Sequence, residues 1–177
     1  MIVRREHPAD HAAVRALHTL AFAEDPVTGA IRAADVVPEA RLVDELREDA
    51  GFLPHLSFVA EDGERLLGHV IATRGWLEPY GTPVLGLGPL GVHPAVQGHG
   101  IGTVLVHALV AVAEACGERL IALLGAPDDY RRFGFVRSMD LAVEPPEPAW
   151  GDYFQARLLS GGPVKGTFRY AEPFDRL

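Results

Sequence analysis

A change of phase within one strand-like segment constrains the fold of this chain more than any other feature. In the segment TPVLGLGPLGV, residues 82–92, the large apolar side chains move from odd to even positions: Leu85, Leu87, Leu90 and Val92. Successive side chains of a regular strand point to opposite faces, so a strand with one buried face keeps one parity. One extra residue at Gly88-Pro89, a β-bulge, restores the pattern. The bulge either shapes a sheet edge or leaves backbone groups of residues 90–92 free to pair with an extended ligand.

This strand is one of several elements that alternate along the chain. Apolar periodicity and turn signals predict strands at 2–6, within 56–74, and at 82–92, 119–126, 135–143, 153–159 and 166–171, and helices at 8–22, 38–49, 102–117 and 127–134. Asp62-Gly63 predicts a hairpin turn, because that turn needs a positive φ. The side chains that share one face of the first helix are Val14, Leu17, Leu20 and Ala21. We expect a single α/β domain over residues 1–177.

The composition argues against several classes of function. The chain has 177 residues, a formal net charge of −8 and one lysine, Lys165. Its scattered arginines form no basic stripe, which argues against a nucleic-acid partner. No apolar run is long enough to span a bilayer, and the first residues lack the apolar region of a secretory signal. Cys116 is the single cysteine and cannot form an internal disulfide, so we expect a cytoplasmic protein with no membrane partner.

Three glycines precede the longest predicted helix. Gly98, Gly100 and Gly102 stand in QGHGIG, where the first backbone amides of a helix favour an anion such as a pyrophosphate, and where side chains would block a close approach. A plain glycine-rich turn is the alternative. A Walker A loop is excluded because no lysine follows the glycines, and a dinucleotide fingerprint is excluded because Thr103 stands where it needs a glycine.

Two motifs in order give the chain a family resemblance. QGHGIG matches the Q/R-x-x-G-x-G/A motif of the Gcn5-related N-acetyltransferases (GNAT), and LGPLGVHP resembles the strand that precedes it in that family. Downstream, LGAPDDYRRFGF places Tyr130 four residues before Gly134-Phe135, as in the family's Y-x-x-x-G-F signature. The resemblance is strongest to the YhbS-like branch of predicted bacterial N-acetyltransferases and covers nearly the whole chain.

The resemblance implies a fold, a cosubstrate and a reaction. The fold is a mixed, mostly antiparallel sheet that splays at the bulge and carries helices on both faces. Acetyl-CoA lies in the splay, and its acetyl group passes directly to a primary amine of a small molecule or a protein, while Tyr130 protonates the leaving thiolate. The implied cofactor-binding residues are Leu90, Gly91, Val92, Gln97, Gly98, His99, Gly100, Ile101, Gly102, Thr103 and Phe133. The family also makes a homodimer through an edge strand an expectation.

The general base is left open by the resemblance. Many relatives carry a glutamate on the bulged strand, but residues 82–92 contain no carboxylate. The alternatives are water and the side chains Glu78, Glu24, His69 and His93. Relatives often place an asparagine where this chain has residues 125–127, Gly-Ala-Pro, so the acceptor's orientation is open as well. A non-catalytic acyl-CoA sensor with the same fold is therefore the second hypothesis.

The remaining candidate features favour structural roles. His7 and His11 lie four residues apart on a charged start with no third ligand nearby, so no metal site is predicted. Cys116 is predicted to be a small buried apolar residue rather than a nucleophile. The acidic series from Asp35 to Asp49 is predicted to be a solvated helix face, with the acceptor wall as the alternative.

Overall fold

The computed structural model describes residues 1–25, 28–63 and 65–177. Glu64, within the predicted hairpin, and the side chain of Asp35, which begins the acidic series, lie outside the described residues. The strands are β1 (Ile2–Arg5), β2 (Phe52–Asp62), β3 (Arg65–Glu78), β4 (Thr82–Val92), β5 (Leu120–Leu124), β6 (Val136–Arg137), β7 (Val143–Glu144), β8 (Phe154–Leu158) and β9 (Gly166–Arg169). The helices are α1 (His11–Ala21), α2 (Pro38–Glu48), α3 (Ile101–Ala115) and α4 (Pro127–Tyr130), with short 3-10 turns between elements.

The strands form one mixed sheet. Its order is β1-β2-β3-β4-β5-β8-β6, and β9 joins it by pairing with both β3 and β7. The β4–β5 and β7–β9 pairs are parallel, and the other pairs are antiparallel. The expectation of a mixed, mostly antiparallel sheet is confirmed.

Helices cover both faces of this sheet. Gly68 and His69 are neighbours on β3 and point to opposite faces, as successive strand residues do. A Cβ added to Gly68 would lie 2.9 Å from side chains of Ile101 and Leu105 on α3, whereas the His69 ring meets His18 on α1. Helix α2 packs beside α1. The larger apolar core therefore lies between the sheet and α3.

The predicted bulge is present in β4. Val70 of β3 pairs with Leu90, and Ala72 pairs with Leu87, so a step of two residues on β3 faces a step of three on β4. The extra residue falls at Gly88-Pro89. Beyond the bulge β4 also leaves its other neighbour, because its pairing with β5 consists of Leu85–Ile121 and Gly86–Ala122. The sheet therefore opens between β4 and β5 next to residues 90–92.

The predicted strand at 135–143 is wrong. The segment divides into β6, a 3-10 turn at Ser138–Leu141, and β7. β6 pairs with β8 and β7 pairs with β9, on separate parts of the sheet, so the chain has to change direction between them. Ala142 makes the end of that turn at φ +57°, and Ser138 is fully buried.

Two predictions about burial are also wrong. Leu20 of α1 is 50% exposed, and His18 takes an inward position beside Val14 and Leu17. Positions 14, 17 and 18 follow the three- and four-residue spacing of a single helical face. Cys116 is exposed rather than buried, because it lies after the last turn of α3, where the chain turns at Gly117.

Candidate functional site

A groove of about 420 Å³ lies at the opening of the sheet. It is formed by the end of β4, the glycine loop, the first turns of α3 and the segment around α4. The lining residues are Leu90, Val92, Gln97, Gly98, Gly100, Ile101, Gly102, Thr103, Val106, Asp129, Tyr130, Arg132 and Phe133. Most of the predicted cofactor residues are therefore brought together on one surface.

Gly91 and His99 are the predicted cofactor residues that do not line this groove. Gly91 faces the opposite side of the sheet, where an added Cβ would lie 2.9 Å from the ring of His18. His99 is exposed, and its Nδ1 donates to the carbonyl oxygen of Gln97 at 2.9 Å. His99 thus holds the shape of the loop. The side chain of Gln97 ties the loop to β4 by donating to the carbonyl oxygen of Val92 at 3.1 Å.

The glycines of the loop keep the groove open. Gly98 and Gly100 adopt positive φ values of +77° and +81°, which side chains of L-residues rarely tolerate. Gly100 is the N-cap of α3 and has no side chain to bond the first amides of the helix. Those amides face the groove without a capping partner, which suits a bound anion. A Cβ on Gly102 would stand 3.6 Å from Val92 and 3.7 Å from Leu90, on the groove floor.

Tyr130 stands at the far wall of the groove. Pro127 begins α4, and Gly134 ends the following turn at φ +81°. The Tyr130 ring packs edge-on against Phe135, with centroids 6.0 Å apart. Gly125 makes room for this ring, because an added Cβ there would lie 2.4 Å from the Tyr130 Cε2 atom. Burial raises the pKa of Tyr130, and the negative charge of Asp129 adds to this effect. The phenol is therefore a proton donor at neutral pH.

A second, larger cavity of about 840 Å³ adjoins the groove. Leu90 and Tyr130 line both spaces, so the groove and the cavity share a wall at these two side chains. The other lining residues of the cavity are Phe22, Glu39, Leu42, Glu78, Leu87, Gly88, Pro89, Leu124, Pro146, Glu147, Trp150, Thr167, Phe168, Arg169, Tyr170, Phe174, Asp175 and Leu177. Aromatic rings and carboxylates dominate this set.

The candidate bases lie in different environments. Glu78 lines the second cavity and forms an ion pair with Arg169 at 3.2 Å. Glu24 lies in the loop after α1, in a bridge with Ile31, and lines neither space. His93 caps a 3-10 turn, where its Nδ1 accepts from the amide of Ala95 at 3.2 Å. Among the candidate bases, Glu78 is therefore the one that lines the second cavity.

His69, the remaining candidate, belongs to a buried polar chain that sequence reasoning missed. Ser57 donates to Glu6 Oε2 at 2.6 Å, and Ser57 Oγ also lies 3.0 Å from His69 Nε2. His69 Nδ1 in turn lies 2.8 Å from His18 Nε2. Arg47 pairs with the other oxygen of Glu6. In the sequence, the one sign of this hydrogen-bond chain was His18, a histidine on the buried face of α1.

The carboxylate of Glu6 fixes the direction of every bond in this chain. A carboxylate only accepts, so Ser57 donates to Glu6, and the Ser57 oxygen is left to accept from His69 Nε2. His69 Nδ1 is then an acceptor, and it accepts the hydrogen bond that His18 Nε2–H donates. His18 Nδ1 is left with a free lone pair and has no hydrogen-bond partner among the described residues.

Burial and pairing shift the pKa values of this chain in opposite ways. Burial raises the pKa of Glu6, but the hydrogen bonds and charges of His69, Ser57 and Arg47 outweigh it and lower the pKa to about 2. Burial lowers the pKa of His69 against the opposing effect of Glu6. Burial, with the charges of His69 and Arg47, lowers the pKa of His18 well below its usual value. Both imidazoles are therefore neutral at pH 7.

The described residues contain neither a cluster of metal ligands nor a membrane-spanning helix. No group of three or more histidine, cysteine or acidic side chains is arranged to hold a metal ion there. Within the same residues no helix is both long enough and apolar enough to cross a membrane.

Comparisons with known proteins agree with this geometry. The profile of the acetyltransferase (GNAT) family matches residues 14–135. The uncharacterized N-acetyltransferase YhbS of Escherichia coli K12 is 30% identical over 180 residues, covering 99% of both chains. A GNAT acetyltransferase of Brucella melitensis, solved with acetyl-CoA, is 32% identical with a TM-score of 0.78 and covers 98% of this chain and 97% of its own. Escherichia coli YhbS, solved with CoA, is 27% identical with a TM-score of 0.84, and the match covers 99% of this chain and 92% of its own.

Proposed function

This chain belongs to the GNAT acetyltransferase family, and we propose that it transfers the acetyl group of acetyl-CoA to a primary amine within a ternary complex. The groove takes the cosubstrate and the second cavity takes the amine. The observation that carries this assignment is that Leu90 and Tyr130 line both spaces. A thioester in the groove and an amine in the cavity then meet at one wall, and positioning supplies much of the rate acceleration.

The groove has the features that a CoA thioester requires. Its glycine loop presents uncapped amides at the start of α3 to the pyrophosphate. The opening between β4 and β5 gives the pantetheine arm backbone groups near residues 90–92 to pair with, as an added strand would. Two solved relatives contain acetyl-CoA and CoA, which supports the same ligand for this chain.

The reaction breaks one bond and forms one. An amine that is cationic in solution first loses its ammonium proton to solvent. The neutral amine attacks the thioester carbonyl carbon, the new C–N bond forms, and the C–S bond breaks with its electrons on sulfur. Tyr130 gives its phenolic proton to the leaving thiolate and recovers a proton from solvent. The proton released by the nitrogen passes to water in the second cavity. We assign Glu78 as the side chain that receives it there, because it lines the cavity.

Thiol release from acetyl-CoA with a panel of primary amines tests this function. We expect amine-dependent release by the wild type, and a loss in kcat of about 10²–10⁴-fold in Tyr130→Phe, since general acids contribute that much. Binding of acetyl-CoA is expected to survive this substitution. Tyr153→Phe is the matched control, because Tyr153 is an exposed tyrosine outside both spaces.

The alternative function predicts a different result. A non-catalytic acyl-CoA sensor binds acetyl-CoA, yet no amine accelerates thiol release in the wild type or in Tyr130→Phe. A phosphate-binding scaffold without preference for CoA predicts equal shifts of the melting temperature by acetyl-CoA and by ATP. Either outcome contradicts the proposed transferase.

We also propose that this chain forms a single domain and has a cytoplasmic location, the latter on its lone cysteine. A homodimer through an edge strand is proposed from the family resemblance. Sedimentation of the purified protein tests the dimer.

A further inference from the structure

We propose that the second cavity selects a cationic amine carried on a flat, apolar, ring-sized body without a negative charge. This inference rests on the proposed acetyl transfer and names the class of acceptor. It follows from the rings that line the cavity, from the charges at its rim and from the part of the chain that supplies both.

A continuous set of aromatic rings forms the apolar wall. The ring centroids of Phe168 and Tyr170 are 4.7 Å apart, those of Tyr170 and Phe174 are 4.5 Å apart, and those of Trp150 and Tyr170 are 6.4 Å apart. Phe22 contributes a further ring from the end of α1. Trp150, Phe174 and Phe22 are only partly buried, so they have surface left to cover. An aromatic substrate buries such surfaces and gains offset-stacked or edge contacts.

The carboxylates of the cavity divide into paired and unpaired groups. Glu78 is paired with Arg169, and Glu39 lies 3.6 Å from a guanidinium nitrogen of Arg32. Glu147 and Asp175 are exposed, and within the part of the chain that the structure describes neither has an ion-pair partner.

The free carboxylates determine which charge the cavity admits. Arg169 is the one basic side chain among the described lining residues, and it is held by Glu78 and by the Trp76 ring, 4.5 Å from its guanidinium carbon. Glu147 and Asp175 therefore leave a net negative rim. A negative rim concentrates cations and repels carboxylates.

Most rings of the wall come from a part of the chain that the general family match does not reach. Every residue that lines the groove falls within residues 14–135, where the family profile matches. Trp150, Phe168, Tyr170, Phe174 and the two free carboxylates all lie after residue 135. The matched region thus supplies the cosubstrate groove and part of the second cavity, whereas the segment after residue 135 supplies most of the cavity's rings and both free carboxylates. The features that select the acceptor therefore lie mainly in this segment.

The cavity volume also favours a compact ring over a long polar chain. About 840 Å³ falls in the range of sites that enclose most of a drug-sized molecule. A flexible polyamine loses conformational freedom in such a space. Its internal nitrogens also lose their hydrogen bonds to water, and the aromatic rings cannot replace these hydrogen bonds. A single rigid ring avoids both costs.

Pairs of acceptors that differ in one group measure the effect of the ring and the effect of the charge separately. We expect kcat/KM for 2-phenylethylamine to exceed that for ethylamine by about 10- to 100-fold, as expected for burial of one large apolar group. Phenylalaninamide should exceed phenylalanine by about tenfold, because these two differ in the carboxylate that the rim repels. Putrescine should be a poorer acceptor than 2-phenylethylamine.

Matched protein variants assign these effects to the wall and to the rim. Trp150→Leu should lower kcat/KM for 2-phenylethylamine by a larger factor than for ethylamine. The double substitution Glu147→Gln with Asp175→Asn should narrow the gap between phenylalaninamide and phenylalanine. The controls are Tyr153→Leu and Glu48→Gln, because these exposed side chains lie outside both spaces and should leave every ratio unchanged. Melting temperatures show that each variant is folded.

Calorimetric binding of the same amines in the presence of CoA gives a readout that does not need turnover. The acceptor class is wrong, while the transferase stands, if ethylamine or putrescine turns over as well as 2-phenylethylamine. The same holds if Trp150→Leu lowers kcat/KM equally for all acceptors. If no amine turns over but 2-phenylethylamine alone binds, the transferase is wrong and the cavity's selectivity stands. If 2-phenylethylamine neither binds nor reacts, the acceptor class is overturned.

Discussion

His18 donates through Nε2 to Nδ1 of His69 over 2.8 Å, and both imidazoles are fully buried. Their rings meet at 84° with centroids 5.0 Å apart. This contact joins α1 to the centre of the sheet. The hydrogen-bond chain runs from the donor His18 through His69 and Ser57 to the accepting carboxylate of Glu6.

The free energy of unfolding should decrease in two steps as the pH is lowered. His18 and His69 have pKa values below their usual 6.5 in the folded state, so the unfolded state binds more protons and stability decreases as the pH falls below 6.5. Glu6 has a pKa lowered from 4.5 to about 2, so its contribution is complete above 4.5 and is lost as the pH falls toward 2. Urea unfolding between pH 2 and pH 8 measures both steps.

Glu6→Gln should remove the acidic step and lower stability at neutral pH. The substitution removes the buried one of the two carboxylates that pair with Arg47 and leaves Asp44. Breaking a comparable buried pair costs up to about 3–5 kcal/mol. The control Glu48→Gln changes an exposed glutamate on α2 and should leave the curve in place. Equal curves for wild type and Glu6→Gln would contradict the role assigned to this carboxylate.

Gly91→Ala should destabilise the fold through His18. The added Cβ would stand 2.9 Å from two atoms of the His18 ring, and the ring is held in place by His69. Overpacking of this kind costs about 1–3 kcal/mol. Chemical denaturation measures it, with Gly162→Ala as the control because a Cβ there meets no atom within 4 Å. Equal stability of the two variants would show that His18 moves aside at no cost.

Substitutions of Gly102 by alanine and by leucine should affect the stability of the fold and the affinity for acetyl-CoA differently. Alanine in the first turn of α3 raises helix propensity by up to about 1 kcal/mol, so the melting temperature should rise or hold. The same Cβ narrows the groove floor beside Leu90 and Val92. The family motif admits alanine at this position, so titration with acetyl-CoA should show at most a small loss of affinity in Gly102→Ala. Gly102→Leu should show a large loss, because its longer side chain fills the groove floor. Unchanged affinity in both variants would mean that the cosubstrate does not pass over this floor.

Gly125→Ala should displace Tyr130. The new Cβ would lie 2.4 Å from the tyrosine ring, so the ring has to turn or shift. We expect kcat to fall while binding of acetyl-CoA is retained. In a Tyr130→Phe background the same change should lower kcat little further, because the proton donor is already absent. Full additivity of the two losses would show that Gly125 acts on something other than Tyr130.

The sequence was sufficient for features that depend on neighbouring residues. The parity change in residues 82–92 predicted a bulge, and the register of β4 against β3 confirms it. That prediction depends on the two-residue periodicity of a strand, which a single segment displays without its partners. The glycines before α3 and Tyr130 before Gly134 match two motifs of the GNAT family, and it was this resemblance that assigned them to one site.

Features that join distant segments were not predictable in this way. His18 and Ser57 reach His69 from 51 and 12 residues away, and no local pattern connects them. The strand predicted at 135–143 failed for the same reason, since its two halves pair with different strands. The aromatic wall of the second cavity gathers rings from both ends of the chain.

The extra residue at Gly88-Pro89 makes the length of β4 matter more than its individual side chains. It directs Leu90 and Val92 to the α3 side, and it turns Gly91 to the side where the His18 ring leaves no space. Deleting that one residue would exchange these orientations, so two bulky side chains would collide with α1 and the groove would lose its floor. A single substitution along β4 changes the packing on one face of the sheet, whereas an insertion or deletion at this point disrupts both faces at once.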